Sequence, residues 1–173
     1  RRAVSQVDFQ PAESMLVGAR GNLAVYEARG ELQLVVEGLQ RAGAGALYEQ
    51  FLRLKAKLEA EGLFDTARKR SIPTYPRRIG VVTSLAAAAL HDVLTALARR
   101  APHVEVVIAA ASVQGLEAPA QLVQALAALS LAHHGGTTLD AVIVCRGGGS
   151  MEDLWSFNDE RVVRAVVACP VPV

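Results

Sequence analysis

From residue 79 onward the chain alternates short apolar runs with longer segments of helical spacing. RIGVVTS, HVEVVIAAASVQG and DAVIVCRGGGS are apolar through consecutive positions, so each predicts a strand covered on both faces. The segments that follow them predict helices running to about Arg100, Leu131 and Ala168, and PVPV predicts the start of a fourth strand. Such strands alternating with helices indicate an α/β fold, a Rossmann-like parallel sheet with flanking helices and right-handed crossovers. Upstream, Leu47, Phe51, Leu54 and Leu58 form one stripe between Ala46 and Gly62, with Arg53, Lys55, Lys57 and Glu59 elsewhere. That is an amphipathic linker helix, which Gly62 is suited to end. The first 38 residues alternate and turn like β structure, and LAVY and LQLVV, joined by EARGE, predict a hairpin preceded by VSQVDF. About three strands cannot close a barrel, so this portion reads as a truncated β segment. The expected organisation is therefore 1–38 β segment, 39–78 linker helix and basic Pro-containing connector, and 79–173 α/β domain. A start without Met and an abrupt end at ACPVPV are expected of a piece cut from a longer chain.

Composition changes this picture little. Hydrophobic residues make up 51% and aromatics only 5%, so the core must be built from Ala, Val and Leu. A net charge of +1 provides no global field, and any grip on nucleic acid has to come from local clustering. The densest cluster is TARKRSIPTYPRR at 66–78, broken by Pro73 and Pro76, which reads either as a solvated linker or as a strip for phosphate contacts. Cys145 and Cys169 sit in apolar runs and predict buried, reduced thiols in a cytoplasmic protein. No run is long enough for a membrane span and no signal peptide opens the chain.

Open parallel sheets bind ligands at the carboxyl ends of their strands. Those ends are Thr83–Ser84, Ser112–Gly115 and Arg146–Ser150. The last opens CRGGGSMEDLWSFNDE, in which three glycines can take positive φ and present N–H groups to an anion, the next helix adds its dipole, and Arg146 offers a planar fork of donors. The same glycines could serve only close packing of strand on helix. Ser150 and Asp153 have capping-box spacing, and Asn158 can cap the following helix. Glu152, Asp159 and Glu160 suit helix N-termini or, less simply, a metal ion. Trp155 and Phe157 read as packing residues. Asp92 falls on the helix after the first strand, about 12 Å along it if that helix starts directly after Ser84. His91, His103, His133 and His134 have no metal-ligand spacing.

GALYEQFLRLKAKLEAEGLFD, IPTYPRRIGVVTS, the VQG at 113–115 and RGGGSMEDLWSFNDERVVRA together resemble the exodeoxyribonuclease VII large-subunit family, in order and spacing, from about Phe9 to Val173. The resemblance implies a partial oligonucleotide-binding (OB) fold in the β segment and a catalytic α/β domain. It also implies a helical region elsewhere that engages small subunits. The implied activity is hydrolysis of single-stranded DNA from either end, to oligonucleotides and 5′-phosphorylated products. The implied catalytic residues are Asp92 and Arg146. The expected phosphate and DNA contacts are Thr83, Ser84, Gln114, Gly115, Gly147, Gly148, Gly149, Ser150, Arg77 and Arg78. A GHE-x-D segment of the family lies beyond Val173, so this chain alone is expected to be inactive. TSLAAAALHD departs from the family's TS-P-T-G-A-A-like turn, so the helix carrying Asp92 is expected to begin earlier. No cofactor is required by the sequence, although Mg2+ is possible. The alternatives are a non-catalytic Rossmann-type phosphate- or nucleotide-binding module and an assembly scaffold whose glycines serve only packing.

Overall fold

The computed structural model describes residues 17–26, 30–41, 44–149 and 151–173. The chain divides into two compact units between Gln50 and Phe51. In the first, β1 (Val17–Tyr26) and β2 (Glu31–Arg41) pair antiparallel, with a bulge between Arg20 and Gly21. Gly21 is required there, because a Cβ would collide with the Val35 carbonyl. The hairpin is longer than LAVY and LQLVV suggest, and β2 runs past residue 38 to within three residues of helix α1 (Ala44–Ala60). VSQVDF lies outside the described residues.

The second unit is a three-stranded parallel sheet of β3 (Arg78–Thr83), β4 (Glu105–Ala110) and β5 (Ala141–Val144), in the order β4-β3-β5. Its helices are α2 (Ala88–Arg100), α3 (Ala118–His134), the single turn α4 (Met151–Leu154) and α5 (Glu160–Ala168). Strand β3 is central, and its alternate side chains build two cores. Ile79 and Val81 pack with Leu90, Val93 and Leu97 of α2. Val82 points the other way, into a larger cluster with Leu122, Leu126 and Leu129 of α3 and Val162 of α5. Gly80 faces that side too, where a Cβ would come within 2.7 Å of Leu129 Cδ1 and 3.1 Å of Val142 Cγ2. Glycine thus sets how closely α3 lies on the sheet. Each buried Leu contributes about 1.5–3 kcal/mol of transfer free energy.

The start of the sheet is pinned by one carboxylate. Asp140 Oδ2 accepts from the backbone N–H groups of Arg77 (2.6 Å) and Arg78 (2.8 Å), and Asp140 N donates to Arg78 O at 2.8 Å. The backbone donors of Arg78 and Arg77 hold its carboxyl below the usual Asp range. At the other edge Arg78 Nε donates to Glu105 Oε2 at 2.7 Å, tying β3 to β4. The end of α1 is tied to α5 by ion pairs, Lys57 with Glu160 at 2.8 Å and Glu61, just past α1, with Arg164 at 2.8 Å.

Four expectations need correction. The helix expected to run to Ala168 is broken into α4, a 3-10 turn at Trp155–Asn158, and α5. Its cap is Asp159, whose Oδ1 accepts from Arg161 N at 2.9 Å, and not Asn158. PVPV forms no ladder, because Pro170 and Pro172 lack N–H groups; one bond, Val142 N to Pro172 O at 2.8 Å, holds it beside β5. Finally, α2 starts at Ala88 and not directly after Ser84. A turn closed by Ala87 N to Ser84 O (3.1 Å) comes first, and Leu90 docking on Ile79 and Val81 overrides the helix propensity of the alanine run. Cys169 is buried and Cys145 half-buried, both as free thiols. Among the described residues no helix is long and apolar enough to cross a membrane.

Leu122 is 0% exposed and Leu131, on the same helix, is 74% exposed. Leu122→Ala should lose about 2–5 kcal/mol in urea unfolding, whereas Leu131→Ala should stay within about 0.5 kcal/mol. Asp140→Ala should destabilise at neutral pH. Because the folded carboxyl is held low, its contribution is complete above the unfolded value of about 3.9 and is lost as pH falls through the folded value. Unfolding curves of the two proteins should therefore converge in acid.

Candidate functional site

All three parallel strands end on the same side of the sheet, and β3 has α2 leaving over one face while α3 follows β4 over the other. Where connections diverge, the strand ends are left uncovered. A cleft of about 580 Å³ opens there, walled by Ser84 and Ala86–Ala89, by Ser112–Gln114, and by Arg146–Gly148. Its walls are tied by side chains. Gln121 Oε1 accepts from Ser112 N at 2.8 Å, and Ser156 Oγ donates to Gly115 O at 3.4 Å. Gly115 itself has φ +86°, the left-handed conformation that favours glycine.

Arg146 is the only cationic side chain among the lining residues, and it is 12% exposed. Its Nη2 donates to Gln114 Oε1 at 3.0 Å and lies 3.9 Å from Asp153 Oδ2. Its Nη1 is buried without a partner among the described residues. An unsatisfied buried donor of this kind costs about 1–3 kcal/mol, more when charged, and is relieved by any acceptor that enters. Thr83, fully buried at the end of β3, also has an unpartnered Oγ1.

The glycines do not take the backbone conformation that the sequence suggested. None of Gly147, Gly148 and Gly149 has positive φ. A Cβ at Gly147 or Gly148 would meet nothing within 4 Å, so strand-to-helix packing does not require them either. Gly149 is different, because a Cβ there would overlap the Arg146 guanidinium, 2.8 Å from Nη2 and 2.9 Å from Cζ. Gly149 is the floor on which the guanidinium rests. The helix expected to lend its dipole is only the four-residue α4, too short to add much. That part falls to α2, thirteen residues long, whose amino end at Ala88 and Ala89 lines the cleft without a side-chain cap. Of its first-turn N–H groups, Leu90 N donates to Ala87 O at 3.1 Å, and those of Ala88 and Ala89 are left to the cleft. Sequence reading missed this wall, since AAAA carries no functional group; the absent capping side chain before the helix was the available signal.

Of the other expected residues, Ser84, Gln114, Gly147 and Gly148 line the cleft, and Gly115 lies beside it. Ser150 lies outside the described residues. Asp92 is exposed on α2, one turn beyond Ala88 on the same helix face and about 6 Å along the axis. It stands at the rim and not in the wall. Arg77 and Arg78 are not brought to the cleft. They begin β3 at the opposite end of the sheet, where Arg78 is engaged by Glu105. Among the described residues no three His, Cys, Asp or Glu side chains converge on a metal position.

A parallel α/β domain with an anion-receptive cleft at its strand ends fits an enzyme or binding protein that handles phosphates. The family model described as "Exonuclease VII, large subunit" matches residues 63–173, and the chain belongs to that family. It is 59% identical over its whole length to the exodeoxyribonuclease 7 large subunit of Delftia acidovorans, covering 41% of that protein. It is 56% identical over 96% of its length to that of Ralstonia nicotianae, and 52% identical over its whole length to that of Bordetella pertussis, covering 37% and 36% of them. The chain thus spans about two-fifths of the length of these relatives.

Gly147→Ala and Gly148→Ala should leave stability within about 0.5 kcal/mol of the parent. Gly149→Ala should displace the guanidinium from Gln114, visible as a changed Arg146 Nε resonance in NMR. An unchanged resonance would show that Gly149 does not support the arginine.

Proposed function

We propose that the cleft holds a phosphate of a single-stranded DNA for hydrolysis, as the catalytic core of an exodeoxyribonuclease that works from either end to 5′-phosphorylated products. The observation that carries this reading is Arg146, nearly buried, with Nη1 unpartnered and Nη2 held by Gln114. Phosphodiester hydrolysis builds negative charge on the non-bridging oxygens, and donors already fixed around that position lower the barrier without reorganising. Arg146 supplies a charge that does not titrate away and geometry matched to two oxygens. The free amides opening α2 face the same space. Asp92, at the rim, is assigned to orienting water. Asp153 holds the guanidinium loosely until a phosphate takes over its charge.

The hairpin is read as part of an OB fold that tracks the strand, the α/β unit as Rossmann-like, and the protein as cytoplasmic and working with small subunits. The family match over residues 63–173 supports the reading of the α/β unit, and the likeness over the whole chain to the large subunit of Delftia acidovorans supports the rest.

In the full-length protein, Arg146→Ala should lower turnover on single-stranded DNA about 100- to 1,000-fold while its thermal unfolding is unchanged. Arg146→Lys should not restore the rate, because an ammonium cannot bond two oxygens from one plane. Near-parental digestion by Arg146→Ala would exclude the assignment. Saturable binding of a mononucleotide with no digestion of DNA by the parent would point instead to a nucleotide-binding module.

A further inference from the structure

Charge in this unit is concentrated away from the cleft. Parallel strands all begin at one end, and the helices return there, so the last turn of α2 brings Arg99 and Arg100 to the start of the sheet. The connector arrives at the same end. Its Arg70 Nη1 donates to Val167 O at 3.4 Å, in the last turn of α5, and Arg77 directly precedes β3. Of the carboxylates near these cations, Glu105 is engaged by Arg78 and Asp140 by two backbone amides, while Asp65 opens the 3-10 turn that carries Arg68 without a side-chain cap bond. Arg68, Lys69, Arg77, Arg99 and Arg100 are exposed and, among the described residues, make no side-chain hydrogen bond or ion pair; Arg77 feels only the longer-range attraction of the Asp140 carboxylate. Among the residues that line the cleft, Arg146 is the only cation.

Within this positive surface Tyr75 is 85% exposed and Ile72 82%. The flanking prolines behave oppositely, since Pro73 and Pro76 are both half-buried. Docked prolines fix φ, and the residue before Pro76 is confined to extended backbone. The ring of Tyr75 is therefore held outward by a stiff segment, and little ordering entropy remains to be lost on contact. A projecting aromatic among unpaired cations is the combination that grips single-stranded nucleic acid, by stacking on a base and contacting phosphates on either side. A duplex gripped by its backbone would have no use for the ring. A protein partner would call for a contiguous apolar patch, which these cations interrupt.

We propose that the start of the sheet is a second contact surface for single-stranded DNA, with Tyr75 stacked on a base and Arg68, Lys69, Arg77, Arg99 and Arg100 on phosphates. It rests on the reading of the cleft as a DNA site, from which strand β3 separates it by about 20 Å.

Anisotropy of labelled oligothymidylate with the full-length protein, taken across a salt series, tests it. Tyr75→Ala should weaken binding about 5- to 100-fold with an unchanged salt slope, and Tyr75→Phe should bind like the parent. Arg68→Ala/Lys69→Ala/Arg77→Ala should reduce the slope of log K against log salt by about 2. All four positions are exposed, and unchanged melting temperatures would establish that the variants fold. Parental affinity in Tyr75→Ala, or a parental slope in the triple variant, overturns the second surface. If Arg146→Ala nevertheless loses turnover, the cleft reading survives that result. A parent that binds no oligothymidylate overturns both.

Discussion

The structure depends on the burial of β3 on both faces. A strand covered from two sides needs a core above and a core below, and Ile79 and Val81 on one side and Val82 on the other meet that need. Gly80 lets Leu129 approach the backbone, which seats α3 while α2 takes the opposite face. The two helices therefore part above the end of β3. The cleft is a consequence of that parting, since no helix can cover strand ends from which the connections diverge.

What the cleft offers is a strained electrostatic arrangement at low exposure. Burial makes the Arg146 guanidinium costly to leave unsatisfied, and its three neighbours each satisfy it only partly: Gln114 takes one nitrogen, Asp153 stands 3.9 Å off, and Gly149 gives room but no acceptor. In the proposed function a phosphate completes this set, because it brings charge and several acceptor oxygens together. The open space beside Gly147 and Gly148 gives that ligand room to come close to the backbone. The glycines matter for the volume they leave empty more than for the conformations they permit.

In the proposed function, the two ends of the sheet divide the work of handling a polyanion. One end holds a single sheltered cation where geometry counts. The other carries several unpaired cations in solvent, where each contact is weak and salt-sensitive but their number adds up. Strand β3, clamped at its start by Asp140 and Glu105 and buried along its length, keeps the ends at a fixed separation.

Apolar runs in consecutive positions determined the three parallel strands and the helices between them, because a strand buried on both faces cannot afford polar side chains. The residues RGGG and VQG marked two of the three cleft walls, and spacing alone placed the linker helix. Periodicity could not show that α2 would start late, since AAAA favours helix at every position and only the docking of Leu90 chose the first turn. Nor could it show that the helix after the glycines would break, or that Asp159 would cap the next. Charge along the chain could not show that Arg77 and Arg78 stand a strand's length from the cleft. Sequence records which groups are present and how they repeat along the chain. Which of them share a space is decided by the packing of both faces of β3, a property of distant residues brought together.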